Sequence, residues 1–424
     1  MAYRFVHAAD IHLDSPLRSL AMRNPELAEL VGNATRQAFV RVIDLCLREQ
    51  VDALLLAGDL YDGEQTSMKT ARFLAEQVRR LHEAGIRVFI IRGNHDAVSQ
   101  ITKELVFPET VKVFSGRAEA VAIERTRADF PVVIHGLSFA EPQAPESLVS
   151  EYKPAVEGAL NIGILHTSLT GSSGHNPYAP CSLADLQATG FHYWALGHIH
   201  KRSVVEGKCT VVMPGMPQGR DINESGVKSV SLVTVADDLS IRVEQRLTSV
   251  AQFERVELDT SDINDWPVLA REIGKALERA RAGAASDHLV ARVRLTGTSP
   301  LAWRMRRDVD LLKTEADDRA SVAGRCWVEK LEVQSQPPSG TQSASGDPLI
   351  ELRCLISAEV AGSDAFKAAA LEAAEELRGQ LPAECRHILG EDEAELDLIV
   401  ANLLVEGADN VVARLHAEAE EEMA

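Results

Sequence analysis

The sequence predicts an α/β protein: a two-sheet α/β/α sandwich, followed by a small α+β domain and a C-terminal helical tail. Three observations predict it. Short Val/Ile/Leu-rich runs alternate with amphipathic stretches from residue 3 to about 246, a second strand-helix series fills about 253 to 336, and the acidic end of the chain carries an apolar stripe at helical spacing.

The elements follow in order. YRFVHAA, from Tyr3, is the first strand and 26–50 the first amphipathic stretch; ALLLA, from Ala53, precedes 66–84; RVFIIRG, from Arg87, runs into a loop. A β-α-β-α-β order implies a parallel sheet covered by helices, with site residues on loops at the carboxyl ends of the strands. PVVIHGLSF, ALNIGILH, HYWALGH, CTVVMPG, SVSLVTV and SIRVEQR come closer together, spaced like β-hairpins, and supply the second sheet of a domain over 1–246. Residues 247–336 form the α+β unit: strand FERVELD, helix 265–282, strand HLVARVRLTG, helix about 301–316 and strand CWVEKLEV. The Pro/Gly/Ser-rich segment 337–347 reads as a linker or exposed loop. Residues 348–424 open on a strand-like LIELRCLIS and continue as helices from about 364 and 391.

Composition bounds the function. With 424 residues, 45% hydrophobic and 25% charged, the chain has the make-up of ordinary globular protein. No apolar run reaches membrane-spanning length and MAYRFVHAAD lacks a signal peptide's features, so a soluble, cytoplasmic protein with no membrane partner is expected. Cys46, Cys181, Cys209, Cys326, Cys354 and Cys385 form no C-x-x-C pair, against a zinc ribbon or a disulfide framework. A net charge of -19 argues against polyanions. Much of it is local, because residues 391–424 hold eleven Asp or Glu against Arg414 alone.

Polar residues end one apolar run after another. Asp10-Ile11-His12 follows the first strand, Gly58-Asp59-Leu60-Tyr61-Asp62 the second and Gly93-Asn94-His95-Asp96 the third; His166 and Gly197-His198-Ile199-His200 end later runs. Each motif alone has a bland reading as a turn or a helix cap. Together they bring carboxylate, amide and imidazole to one sheet edge, an O/N donor set suited to borderline or hard divalent metals. His7 and His135 read instead as core or edge histidines, and Asp62 as a residue behind the ligands.

This ordered set resembles the calcineurin-like metallophosphoesterases. AADIHLDSPL, LLAGDLYDG, YAPCSLADL, YWALGHIH and PGMPQGR are similar, more narrowly, to the YhaO-type bacterial DNA repair exonucleases related to SbcD. The resemblance covers residues 3 to about 235 and implies a metallophosphoesterase sandwich with two divalent ions, Mn(II) foremost, with Fe(II) or Zn(II) able to fill the same ligands. It assigns one metal to Asp10, His12, Asp59 and His200 and the other to Asp59, Asn94, His166 and His198, with Asp59 as the bridge. His95 then serves as a donor to phosphate or leaving oxygen, and Asp96 orients it.

Arg220, in the Gly-rich PGMPQGRDINESG, is expected to hold a phosphate, although this chain has Asp221 where the family often has His. His175 and Tyr178 lie in a loop able to touch substrate. The implied function is a metal-dependent DNA exonuclease, endonuclease action being open; the alternatives are a phosphatase or phosphodiesterase on a small molecule or protein, and a non-catalytic DNA-end scaffold. The α+β unit then caps a DNA groove. The acidic tail, with Leu396, Ile399, Val400, Leu403 and Leu404 in one helical stripe, either folds on its own core or docks on the coiled-coil, SMC-like ATPase that the resemblance implies as partner. A homodimer is left open.

Overall fold

The structure is a computed structural model that describes residues 2–15, 25–61, 68–96, 107–123, 129–139, 144, 146–169, 178–338, 351–352, 355–360, 362–381, 389–390 and 392–422. Asp62, His175 and most of the expected linker lie outside the described residues. The chain divides into two compact units, Met1–Glu254 with Ala280–Val290, and Arg255–Arg279 with Ala291–Ala424.

In the first unit, β1 (Tyr3–Ala8), β2 (Ala53–Ala57), β3 (Arg87–Ile91) and β4 (Val111–Val113) pair in parallel. The helices α1 (Pro25–Gly32), α2 (Ala34–Glu49) and α3 (Met68–Glu83) fall between the first three strands in sequence. Alternation along β1 shows how the layers form, since neighbouring side chains on a strand face opposite ways. Val6 joins Phe39, Val42, Leu74 and Val78 of the helices, whereas Phe5 joins Ile134, Ile162 and Tyr193 of the second sheet.

That second sheet runs β5 (Glu119–Ile123), β6 (Val132–Gly136), β7 (Leu160–His166), β8 (Tyr193–Gly197), β10 (Thr210–Met213) and β9 (Ser203–Val205), while α4 (Leu183–Ala188) shares the cluster on its outer face through Leu186, beside Trp194 and Leu196. The strands β11 (Ser229–Val235) and β12 (Ile241–Leu247) return to the first sheet, β11 antiparallel to β1. Two six-stranded sheets therefore make the predicted sandwich.

The hairpin spacing expected for the later runs is only partly what forms. The pairs β9–β10 and β11–β12 are antiparallel, but β6, β7, β8 and β10 lie parallel. The connections from 136 to 160 and from 166 to 193 are long enough for crossovers, which need about a dozen residues or more.

The three-stranded sheet is β13 (Ala251–Asp259), β14 (His288–Thr296) and β15 (Cys326–Val333), with α5 (Trp266–Gly283), α6 (Ala302–Arg307) and α7 (Val309–Ala323) between them in sequence. After it come α8 (Asp364–Gln380) and α9 (Glu393–Glu422). The strand expected from LIELRCLIS, 349–357, is not what its described part forms: Glu351, Leu352 and Leu355 are helical and Ile356–Val360 is a helical turn, while 349, 350, 353 and 354 lie outside the described residues. Helical backbone satisfies its own hydrogen bonds without a neighbouring strand, and Leu355 and Val360 are exposed rather than packed on a sheet face. The acidic helix α9 lies on α6, where Val412 and Ala413 meet Trp303 and Asp409 pairs with Arg306 at 3.4 Å. Of the expected stripe, Leu396 and Val400 are buried, Ile399 and Leu404 half-buried and Leu403 exposed.

Candidate metal centre

The strand order decides which loops meet. β1, β2 and β3 are adjacent in one sheet and β7 and β8 in the other, so their carboxyl ends carry all five motifs to neighbouring loops. The loops after β1 and β2 are zipped together: Asp10 N–H donates to Gly58 O at 3.1 Å, His12 N–H to Asp59 O at 3.0 Å and Leu13 N–H to Leu60 O at 2.8 Å. Those bonds hold unusual backbone. Asp10 (φ 52°), His12 (φ 45°) and Asp59 (φ 52°) occupy the left-handed region, as does His198 (φ 99°), at roughly 1–3 kcal/mol each. Such conformations persist where neighbouring structure enforces them, and here they turn the side chains into the site.

Two glycines permit the close approach. A Cβ on Gly93 would strike the Asp59 carboxylate and stand 2.8 Å from His166 Nε2, and one on Gly197 would strike the Ala57 carbonyl. Both positions are therefore closed to larger residues.

Two clusters result, Asp10 with His12 and His200, and Asp10 with Asp59 and His166, each with its ligand atoms within 4.8 Å of one another. His12 Nε2 and His200 Nε2 are 3.3 Å apart, His166 Nε2 is 3.3 Å from Asp59 Oδ2, and Asn94 Oδ1 lies 3.0 Å from His166 Nε2. The carboxylate common to both clusters is Asp10, whereas the resemblance makes Asp59 the bridge. The His198 backbone N–H donates to both Asp10 oxygens at 3.1 Å, and its ring lies 5.3 Å from that of His166 and 5.0 Å from that of Tyr178.

Charge tests whether a metal fits. Asp10 and Asp59 are 0% and 1% exposed, and among the described residues neither is ion-paired with lysine or arginine. Burial pushes the Asp10 carboxyl up, against the opposing pull of His200 and His166. Burial would also raise Asp59, but His166 outweighs it and holds Asp59 well below the carboxylate range; in turn burial would lower His166, which Asp59 raises to about 9. Buried acids ringed by imidazoles, with no lysine or arginine paired to them among the described residues, suit a divalent cation.

The remaining expected residues divide. His95 is exposed, its ring 5.3 Å from that of His12, and its backbone N–H donates to Asp59 Oδ1 at 3.1 Å. Asp96 is buried and accepts from Leu60 N–H at 3.0 Å and Gly93 N–H at 2.6 Å, clipping the second and third loops together rather than reaching the His95 ring. Burial, then the nearby Asp59, pushes its carboxyl up to about 7. His7 is a core residue as expected, bonded to Tyr193 Oη and Leu196 O at 3.0 Å, and His135 bonds Asn161 Oδ1 at 2.9 Å.

Arg220 does not stand alone. Its guanidinium lies 2.7 Å from Glu224 Oε1, and Glu224 also takes His200 Nδ1 at 2.9 Å. Burial would raise Glu224, but the bond to His200 and the charge of Arg220 hold it far below its ordinary range. Sequence reasoning passed over Glu224, although an acid four residues after Arg220 in the same Gly-rich loop was a usable signal. Asp221 caps the short turn Ile222–Glu224 by accepting from Asn223 N–H at 2.7 Å, which gives the departure from the family pattern a local role.

Comparison with known proteins agrees with this geometry. The family model of calcineurin-like phosphoesterases matches residues 3–202, and that of the middle domain of metallophosphoesterase YhaO matches residues 253–336. The chain is 26% identical to the DNA double-strand break repair protein Mre11 of Sulfurisphaera tokodaii, over 50% of this chain and 54% of that one. It is 28% identical to the Mre11 of Methanocaldococcus jannaschii, over 47% and 51%. It thus spans about half the length of these two proteins. With the uncharacterized metallophosphoesterase YhaO of Bacillus subtilis it shares 34% identity over 303 residues, 70% of this chain and 72% of that one. A likeness at that level, over most of both chains, shows that this chain belongs to the calcineurin-like metallophosphoesterases, a family of hydrolases.

Proposed function

We propose that the chain is a two-metal DNA nuclease, an exonuclease acting in DNA repair. The observation that carries this reading is the meeting of Asp10, His12 and His200 with Asp59 and His166, beside an exposed His95. Asp10, His12, Asp59 and His200 would hold one ion, and Asp59, Asn94, His166 and His198 the other, Mn(II) being the proposed metal. When bound, such ions lower the pKa of an attacking water and polarise phosphoryl oxygens. Asn94 contributes a neutral donor and so adds no negative charge where a phosphate arrives. His95, exposed and next to His12, donates a proton to the leaving oxygen. Asp96 positions that histidine through the backbone it clips.

The similarity to Mre11 proteins supports DNA as substrate, and residues 253–336, which match a domain model of their own, are the candidate for selecting DNA over a small phosphodiester. The -19 net charge favours the second reading, a phosphatase or phosphodiesterase on a small substrate. Purified protein with Mn(II), offered labelled single- and double-stranded DNA beside bis-p-nitrophenyl phosphate, separates them. Degradation of DNA is expected; turnover of the small diester with intact DNA would favour the second reading.

No helix among the described residues is long and apolar enough to cross a membrane. The exposed Leu398, Leu403 and Val405 of α9 support the proposal that this helix meets a coiled-coil ATPase subunit. Leu403→Glu should leave the melting temperature unchanged and abolish co-purification with such a subunit.

A further inference from the structure

Among the candidate ligands, His200 is distinguished by what lies behind it. Its Nε2 faces His12 Nε2 at 3.3 Å, and its other ring nitrogen, Nδ1, is 2.9 Å from Glu224 Oε1. An ionised carboxylate only accepts, so the bond requires a proton on Nδ1, and in the neutral ring, the form that ligates a metal, Nε2 then carries the lone pair on the side of Asp10 and His12. Glu224 is itself fixed from two sides, by the Arg220 backbone N–H at 2.7 Å to Oε2 and the guanidinium at 2.7 Å to Oε1. The His200 side chain keeps 24% exposure, so the protein walls alone do not enclose the ring.

We propose that Glu224 is a positioning residue of the metal site, holding His200 in the Nδ1–H tautomer with Nε2 presented to the ion, and that Arg220 acts through Glu224 by keeping its carboxylate in place. The inference rests on the reading of His200 as a ligand. It turns Arg220 from a contact for phosphate into part of the support behind the metal. A carboxylate partner on the far nitrogen of a ligating histidine sets ring orientation and raises basicity, and its removal typically costs about 10- to 100-fold in metal affinity.

The test is a titration of the full chain with Mn(II) alone, followed by calorimetry, on wild type, Glu224→Ala, Glu224→Gln, His200→Ala and the double variant Glu224→Ala/His200→Ala. Glu224→Ala should weaken one class of Mn(II) site by about 10- to 100-fold. Glu224→Gln, which keeps an acceptor oxygen without the charge, should fall between it and wild type. Adding Glu224→Ala to His200→Ala should cost nothing further, because the effect passes through that ring. Wild-type affinity in Glu224→Ala, or a full additional loss in the double variant, would overturn the inference. Unchanged Mn(II) binding in His200→Ala would instead overturn the ligand reading beneath it. Should Glu224→Ala not fold, Glu224→Gln alone and on His200→Ala carries the same comparison.

Discussion

Asp409 in the second unit and Asp10 in the first are both withdrawn from water, at 6% and 0% exposure, but the protein answers the two charges differently. Asp409 faces Arg306 at 3.4 Å, and the pair helps bind α9 to α6 beside Trp303, Val412 and Ala413. Asp10 has a second acid, Asp59, in its own cluster and imidazoles around it. A buried carboxylate is costly unless a positive charge accompanies it. Where a guanidinium, which does not give up its proton, supplies that charge the acid is structural, and where imidazoles, which can give theirs up, surround the acids, the site suits a cation from outside. The contrast can be attacked from several sides.

The largest expected effect lies at Asp59. Asp59→Ala should abolish hydrolysis of bis-p-nitrophenyl phosphate and reduce Mn(II) stoichiometry measured by calorimetry, because it removes an acid from the centre. His95→Ala should keep Mn(II) binding and lose turnover by roughly 10²-fold, the scale of a lost proton donor. Equal loss of metal in both variants would erase the division between ligand and donor.

Next in size is the direct comparison of the two acids. Asp409→Asn leaves Arg306 buried without its counter-charge and should cost about 3 kcal/mol in denaturant unfolding. Asp10→Asn should behave oppositely in a chelator. Burial raises the Asp10 carboxyl, so the ionised form is the disfavoured one in the fold, and a neutral side chain of the same shape relieves that penalty. The variant should melt at or above wild type without metal and lose the stabilisation that Mn(II) gives wild type. A large loss in chelator would show that Asp10 is held by protein contacts alone.

These residues also show what could be read in advance. Strand-end motifs of the first unit were legible because strands buried on both faces appear as unbroken apolar runs, and any polar residue interrupting their ends is conspicuous. Parallel pairing of β6, β7, β8 and β10 was not legible, since hairpins and crossovers leave similar apolar runs and only the connection between them differs. LIELRCLIS misled for a related reason. A short apolar run has no period long enough to separate strand from helix, and contacts elsewhere decide. For Glu224 the local pattern signals only its pairing with Arg220, four residues earlier; its bond to His200, 24 residues earlier, leaves no mark in the sequence.

A smaller effect is expected at Arg220, half-buried against Glu224. If its charge is spent on that carboxylate, Arg220→Ala should lower cleavage of DNA and of the small diester by similar factors, with little change in salt dependence. A loss confined to DNA, together with a shallower salt slope, would return Arg220 to the role of phosphate contact.

The smallest expected effect comes from His7, and it tests whether buried polar groups of the first unit away from the clusters are purely structural. Burial lowers the imidazole to about 3, only partly offset by the bond to the Leu196 carbonyl, and Arg202 pushes the same way. The folded protein therefore keeps His7 neutral while the unfolded chain binds a proton below its ordinary value of 6.5. Stability from this group is fully present above pH 6.5 and drains away as pH falls towards about 3, because over that window the unfolded state takes up the extra proton. His7→Gln cannot titrate. It should be less stable than wild type at neutral pH, having lost the fit to Tyr193 Oη and Leu196 O, yet its melting temperature should fall less steeply between pH 6.5 and pH 4, so that the two curves converge on acidification. Melting curves in chelator at matched ionic strength make the comparison without metal binding. Parallel curves across that range would mean that His7 is protonated in the fold as readily as outside it, and that burial in β1 does not govern its charge.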